Sequence, residues 1–212
     1  MSQEIWETIQ KMETEDAELQ LALQCAPLIT GLKVSNLLSI KTSRCREVLE
    51  IIKESCITAF PLGMAGERIT LLLYQKEKLT QFFMEEPSAK LLLQFGYGNA
   101  SLNEILKSFR RRYQEYLAQK RSFPHEMGLL LGYPPEDVEG FITHEGRDFL
   151  YAGEWKVYHN PEWKKLLFQR FDYARENLVQ LLSCGMHMDE IIDVCNGMAP
   201  RRMVNYKMCV NA

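Results

Sequence analysis

The segment from Phe123 to Phe141 constrains the fold of this chain more tightly than any other stretch. It reads FPHEMGLLLGYPPEDVEGF and holds three of the twelve glycines and three of the eight prolines in the 212 residues. Because proline and glycine restrict where helices begin and end, this density predicts two short helices. A tight corner at Gly132-Tyr133-Pro134 would separate them.

The spacing of apolar residues elsewhere predicts a mainly helical chain with a small sheet. Two apolar runs within residues 55–74 flank a glycine-containing loop and predict a β-hairpin, and alternation over residues 149–158 predicts a third strand. The strands are not regularly interleaved with helices. We therefore expect an α+β fold, a mostly helical single domain with a small, mainly antiparallel sheet of about three strands.

Three helix predictions bear on the candidate site. Residues 3–23 read as a polar N-terminal helix, and Pro27 suits the first turn of a second helix that runs to about Leu38. Asn160-Pro161 predicts the start of a long helix. The apolar side of that long helix is expected to consist of Trp163, Leu166, Leu167, Phe171, Ala174, Leu178, Leu181 and Leu182.

We divide the chain into an N-terminal helical extension (residues 1–23), a core domain (24–184) and a C-terminal helical extension with a tail (185–212). The sequence shows no internal repeat and no low-complexity linker that would separate two domains. The tail from Ala199 to Ala212 is basic, and we expect it to be poorly ordered. The oligomeric state is not determined by the sequence.

Composition excludes some classes of protein and disfavours others. The net charge is −3 and the pI about 5.9, so the chain lacks the positive field that favours nucleic acids. No apolar run approaches the roughly 18 residues of a membrane span, and the acidic N-terminus is unlike a secretory signal. The six cysteines form no regular framework. We therefore expect free thiols in a cytoplasmic protein.

Three residues form the candidate catalytic set. If a helix begins at Pro27, its N-terminus would stabilise a Cys25 thiolate. Lys33 would then lie within the apolar stripe of that helix, where a lysine either extends to solvent or meets a partner. His125, which titrates near neutrality, could act as an acid or base. The alternative is structural: a buried cysteine, a lysine whose stem covers the core, and a histidine at a helix start.

Five further residues are candidates for binding a ligand, namely Glu126, Tyr133, Trp155, Lys156 and Tyr158. Glu126 and Tyr133 belong to the Phe123–Phe141 segment, and the other three lie on the predicted third strand. Structural roles are the alternative here too, since Glu126 suits a helix N-terminus and a strand tryptophan usually packs in a core. Asp137 is most simply an acid in the first turn of a helix.

Other motifs fail on spacing or charge. His125-Glu126 lacks the second histidine of a zinc-peptidase helix, and Gly128 and Gly132 are not followed by the residues of a phosphate loop. The two short helices resemble a helix-turn-helix, but the second is acidic and would repel DNA. Cys184, His187, Cys195 and Cys209 are spaced unlike compact zinc modules, so we expect no metal site, and no cofactor is indicated.

Three blocks of sequence carry a resemblance to a known family. They are Cys25-x-Pro27-x3-Gly31-x-Lys33, the segment from His125 to Phe141, and Gly153-x-Trp155-Lys156-Val157-Tyr158. In this order and spacing they resemble the bacterial family of unknown function DUF3793, over roughly residues 24–182. The family is best known from anaerobic bacteria, which fits a reducing cytoplasm. The resemblance implies no established activity and transfers no catalytic residue.

Three functional hypotheses remain open. The favoured one is a non-catalytic binding or adaptor domain for a small ligand or protein partner in redox or metal physiology, because no complete catalytic motif is present. The second is an enzyme of acyl or thiol transfer that uses Cys25 with Lys33 and His125. The third is a nucleic-acid-associated regulator, which the charge disfavours. Convergence of Cys25, Lys33 and His125 on one cleft would favour the enzyme.

Overall fold

The computed structural model describes residues 3–198, with side chains from Ile5 onward, and has the expected α+β architecture. A three-residue 3-10 turn at Thr42–Arg44 precedes the third helix. The helices are α1 Gln3–Gln10, α2 Ala17–Ile29, α3 Cys45–Ile52, α4 Lys76–Met84, α5 Glu86–Gln94, α6 Leu102–Leu117, α7 Met127–Leu130, α8 Pro135–Thr143, α9 Pro161–Ser183 and α10 Met188–Cys195. The strands are β1 Ser35–Lys41, β2 Ile57–Ala65, β3 Arg68–Gln75, β4 Tyr151–Ala152 and β5 Lys156–Val157.

The main sheet has three antiparallel strands in the order β1-β3-β2. The predicted hairpin over residues 55–74 is confirmed as β2 and β3. The predicted third strand is wrong, because its place in the sheet is taken by β1. Residues 149–158 instead form the separate two-stranded hairpin of β4 and β5. The alternation of apolar and polar residues over 149–158 therefore belongs to a short β-hairpin packed on α9, not to a strand of the main sheet.

The helix expected from Pro27 to Leu38 is also wrong. Pro27 lies inside α2, where its missing N–H leaves the Leu23 carbonyl without its helical donor. The Arg175 side chain replaces that donor, since its Nε donates to Leu23 O at 3.2 Å. The helix ends at Ile29, and Gly31 then adopts a φ of +74°. Such a left-handed residue directs the chain out of a helix, and here β1 follows.

Each face of the main sheet is covered by helices, as the run Leu71-Leu72-Leu73 predicts. Leu71 and Leu73 belong to one apolar cluster with α2, α3, α9 and α10. Leu72 and Tyr74 point the other way, into a second cluster with α4, α5, α6, α7 and α8. Because β3 is central, its alternating side chains hold the two helical layers together.

The helices at both ends of the described chain pack on the first of these clusters. Ile5 and Ile9 of α1 are buried there, together with Met188, Ile191 and Ile192 of α10. Asp16 caps α2, since Leu19 N donates to its carboxylate at 2.9 Å, so residues 3–23 form parts of two helices rather than one. The predicted disorder of Ala199–Ala212 falls on residues outside the described range.

The start of α9 is as predicted, and half of its expected apolar side is buried, namely Phe171, Ala174, Leu178 and Leu182. Trp163, Leu166 and Leu181 are exposed, whereas Lys164 and Phe168 are buried. The third apolar cluster consists of Val157, Phe168 and Phe171, with Trp155 packed against it. The hairpin of β4 and β5 is therefore held on α9 by aromatic side chains.

Gly140 controls how closely α8 approaches β5. A Cβ atom added to it would lie 2.5 Å from Tyr158 Cγ. We expect Gly140→Ala to lower the free energy of unfolding by about 1–3 kcal/mol through this overlap, although alanine by itself favours a helix by roughly 1 kcal/mol. Urea denaturation followed by circular dichroism measures the change. Glu139→Ala, at an exposed position of the same helix, is the control, and equal stability of the two variants would contradict the prediction.

Candidate ligand-binding site

An apolar groove of about 370 Å³ opens between β1, α7, α8 and the β4–β5 hairpin. Much of the Phe123–Phe141 segment lines it, and the turn of the hairpin closes its other side. The lining residues are Leu37, Phe123, His125, Met127, Gly128, Leu131, Tyr133, Asp137, Val138, Phe141, Glu154, Trp155 and Lys156. We call this cavity the aromatic groove. Its volume lies within the usual range for small-molecule sites.

Tyr133 and Trp155 form one wall of the aromatic groove. Their rings stack with centroids 4.6 Å apart and planes inclined by 26°. The corner before Tyr133 depends on Gly132, which has a φ of +67° and would place any Cβ 2.7 Å from Val34 Cγ2. A residue with a side chain is therefore strained there in two ways. The sequence prediction of a tight corner is confirmed, and the corner fixes where the Tyr133 ring stands.

The Asp137 carboxylate fixes the position of Trp155. It accepts hydrogen bonds from Trp155 Nε1 at 2.8 Å, from Tyr158 N at 2.9 Å and from His159 N at 3.1 Å. Lys164 Nζ, also buried, lies 3.1 Å from Asp137 Oδ2. These contacts join α8, the end of the hairpin and α9. Asp137 is thus a buried structural centre rather than a simple first-turn acid.

The rim of the groove is aromatic, with charged groups that are already engaged. His125 is exposed and its ring lies 6.1 Å from that of Phe123 and 5.5 Å from that of Phe141, centroid to centroid. Lys156 Nζ donates to Gly146 O at 2.6 Å. Glu154 pairs with Arg175 at 2.8 Å. A ligand would therefore meet ring faces and edges before it met an available charge.

Two predicted ligand-binding residues lie outside the lining of the groove. Glu126 is buried on the other side of its helix turn, where it pairs with Arg112 at 2.7 Å and accepts a hydrogen bond from the Tyr97 hydroxyl at 3.0 Å. Tyr158 is buried against Gly140 and stacks on His144. Tyr133, Trp155 and Lys156 are brought together as expected, together with His125.

The structural premise for a nucleophilic Cys25 is wrong. Cys25 lies within α2 rather than before a helix, is fully buried, and donates from Sγ to Leu37 O at 3.7 Å. Burial raises the pKa of this thiol to about 12, which the nearby Lys33 charge only partly offsets. Among the described residues no hydrogen bond connects Cys25 with Lys33 or His125. The Cys25 thiol thus lacks the exposure and the lowered pKa that are typical of a nucleophilic cysteine.

Lys33 lies in the loop between α2 and β1, not on a helix. Its side chain is buried, and Nζ lies 5.1 Å from the centroid of the Tyr133 ring. Burial lowers the pKa of the ammonium to about 8, and the charge of Glu154 opposes that shift. Lys33 thus stands close to the groove wall, while His125 stands on the rim formed by Phe123 and Phe141.

Three arginines in and just after α6 contact other side chains of the protein. Arg112 forms the buried pair with Glu126, Arg110 lies 5.4 Å from the Phe60 ring centroid, and Arg121 pairs with Glu115 at 3.3 Å. Within residues 3–198, no cluster of three or more histidine, cysteine or acidic side chains has the arrangement of a metal site. Cys209 lies outside those residues.

Some residues of the site were missed by sequence reasoning. The sequence marked Phe123 and Phe141 only as the ends of the constrained segment. It marked Glu154 only as a polar position on the predicted third strand. Lys164 left a signal, because it precedes Phe168 by four residues and Phe171 by seven, on one helix face. A lysine on such a face indicates a buried partner, which the structure identifies as Asp137.

The fold and groove can now be set beside known proteins. Residues 21–192 match the family model described as protein of unknown function (DUF3793), and the chain belongs to this family. The match includes all three blocks of the resemblance and extends into α10. No curated protein and no solved structure matches the chain. None of the helices in the described part has the length and apolar character to cross a membrane.

The pair Asp137–Lys164 is expected to stabilise the site strongly. Asp137→Asn leaves the Lys164 ammonium with Glu136, whose side chain is 46% exposed, so we expect a loss of about 3 kcal/mol in unfolding free energy. Glu136→Gln is the matched control and should cost less than about 1 kcal/mol. Urea denaturation measures both. The double variant Asp137→Asn/Lys164→Met should recover part of the loss, and similar effects of the two single variants would refute this role.

Alkylation tests the state of Cys25. At about pH 8, iodoacetamide should leave Cys25 unmodified in the folded protein, because the thiol is buried and protonated. Cys56, which is exposed, should react and provides the internal control. Peptide mass spectrometry with and without urea separates the two sites. Rapid modification of Cys25 in the folded protein would instead support the thiol-enzyme hypothesis.

Proposed function

We propose that this chain is a non-catalytic binding domain whose aromatic groove takes a small, flat, mainly apolar ligand. The observation that carries the proposal is the groove itself: a cavity of about 370 Å³ with stacked Tyr133 and Trp155 as a wall. Ring faces bind flat apolar groups through dispersion and burial of apolar surface. The cytoplasmic setting expected from the sequence is part of this proposal.

The way in which Tyr133 and Trp155 are held supports a role in ligand binding, beyond a role in packing the core. Asp137 holds the Trp155 indole by a hydrogen bond of 2.8 Å, and the Gly132 corner positions Tyr133. Walls that are fixed before the ligand arrives lose little conformational entropy on binding. The candidate catalytic residues are not assembled in this place, because Cys25 is sealed in the core, whereas the exposed His125 ring lies beside those of Phe123 and Phe141.

Trp155 can report directly on occupancy of the groove. The other two tryptophans, Trp6 and Trp163, are about half exposed, so the variant Trp6→Phe/Trp163→Phe should fold and leave Trp155 as the single indole. We expect the neutral probe N-phenyl-1-naphthylamine to quench Trp155 fluorescence saturably, with a stoichiometry of one probe per chain. Saturable quenching shows that the probe occupies one site within energy-transfer range of this indole, and variants of the lining residues then test whether that site is the groove. Unsaturable or absent quenching would contradict the proposal.

Two exposed phenylalanines supply a matched comparison for the same titration. Phe123 and Phe149 are equally exposed, at 40% each, but only Phe123 lines the groove. Phe123→Ala should weaken probe binding about fivefold, because roughly 1 kcal/mol of apolar contact is lost. Phe149→Ala should leave it nearly unchanged. Equal effects of the two variants would place the probe outside the groove.

A further inference from the structure

Lys33 is a buried cation beside the aromatic groove. The apolar character of the groove does not explain why a charged side chain is buried there. Its side chain is 9% exposed, and its backbone N–H donates to Pro27 O at 2.9 Å, which anchors the loop. The ammonium lies near Tyr133, at 5.1 Å from the ring centroid. Its strongest electrostatic attraction is to Glu154. Tyr133 and Glu154 both line the groove.

Within residues 3–198, no hydrogen bond and no ion pair within 4.0 Å reaches the Lys33 ammonium. Glu154 is already taken, since Arg175 Nη2 contacts its carboxylate at 2.8 Å. Arg175 is in turn held by Asp172 at 3.0 Å and by the Leu23 carbonyl. Two carboxylates, Glu154 and Asp172, thus face two cations, but both carboxylates contact Arg175 and neither lies within 4.0 Å of the Lys33 ammonium. Among the described residues the Lys33 charge therefore has no direct partner.

An incompletely paired buried charge is unfavourable, and proteins usually pair it or neutralise it. Desolvation lowers the pKa of Lys33 to about 8, so the group remains largely protonated at neutral pH. The Tyr133 ring face offers only weak compensation at this distance. An anion placed at this end of the groove would complete the pairing. Lys156 is less suited, because it already donates to Gly146 O.

We propose that the ligand of the aromatic groove is a flat apolar acid, whose carboxylate or similar anionic group is bound by the Lys33 ammonium beside Tyr133 and Glu154. This inference rests on the proposed function, because it names the chemical class that the same groove accepts. The apolar body would stack in the groove, and the acid would lie at its charged end. The fixed carboxylate of Glu154 limits the ligand to one such position, on the side of Lys33.

Two matched probes separate this inference from the proposed function. N-phenyl-1-naphthylamine is uncharged, and 8-anilino-1-naphthalenesulfonate is the same molecule with an added sulfonate. Titration of the Trp155-only protein with each should give tighter binding of the sulfonate by about tenfold, the effect of one charge-assisted contact. Lys33→Met should remove this difference and leave the neutral probe unaffected. Lys78→Met, at an exposed lysine outside the lining of the groove, is the control and should preserve the difference.

The pH dependence gives a second readout that a merely structural lysine would not produce. The preference for the sulfonate should be present at about pH 7 and decline toward about pH 10, as the Lys33 ammonium loses its proton. The neighbouring thiol and phenol do not explain such a change, because the pKa values of Cys25 and Tyr133 are raised to about 12. The other charged neighbours, Arg175 and Glu154, pair with each other at 2.8 Å. Binding of the neutral probe should be independent of pH.

The outcomes are distinct. If both probes bind but the sulfonate gains nothing, or if Lys33→Met weakens both equally, the inference is overturned while the binding function stands. If neither probe quenches Trp155, both are overturned. Circular dichroism of Lys33→Met confirms that the variant is folded, and methionine fills the volume of a buried lysine stem without a charge.

Discussion

The arrangement of the candidate site depends on one buried carboxylate. Asp137 accepts three hydrogen bonds and faces the Lys164 ammonium, so a single side chain connects α8, the hairpin and α9. In a low-dielectric interior such a group is stable only when its partners are all in place. The position of Trp155, and with it the wall of the aromatic groove, follows from that requirement. The shape of the groove is therefore linked to the packing of the surrounding elements.

A second constraint arises from Pro27 and determines what Cys25 and Lys33 can do. A proline inside α2 removes one helical donor, and Arg175 supplies the replacement from α9. This contact places Arg175 beside Glu154, which it then pairs. Cys25 lies in the intact part of α2 and is sealed from solvent, whereas Lys33 emerges after the helix, near the groove. Because Arg175 both replaces the donor missing at Pro27 and pairs with Glu154, the buried Lys33 has no carboxylate in direct contact.

These two constraints together favour a binding role over catalysis. The aromatic walls are held by hydrogen bonds and a glycine corner rather than by flexible side chains. The titratable groups are divided: the thiol is buried, the imidazole stands among aromatic rings, and the amine lies beside the Tyr133 ring, outside the lining of the groove. A site with one apolar body and one cation selects a ligand by shape and by a single charge.

The sequence by itself determined the α+β class, the β2–β3 hairpin, the capped start of α6, the start of α9 and the Gly132 corner, because each depends on local backbone preferences. It also placed Tyr133, Trp155, Lys156 and His125 among the site residues. Only the tertiary structure decided that β1 follows α2, that Asp137 is a buried centre, and that Glu126 and Tyr158 face away from the groove. Those outcomes depend on partners distant in sequence, such as Arg175 for Leu23 and Lys164 for Asp137, which no local pattern specifies.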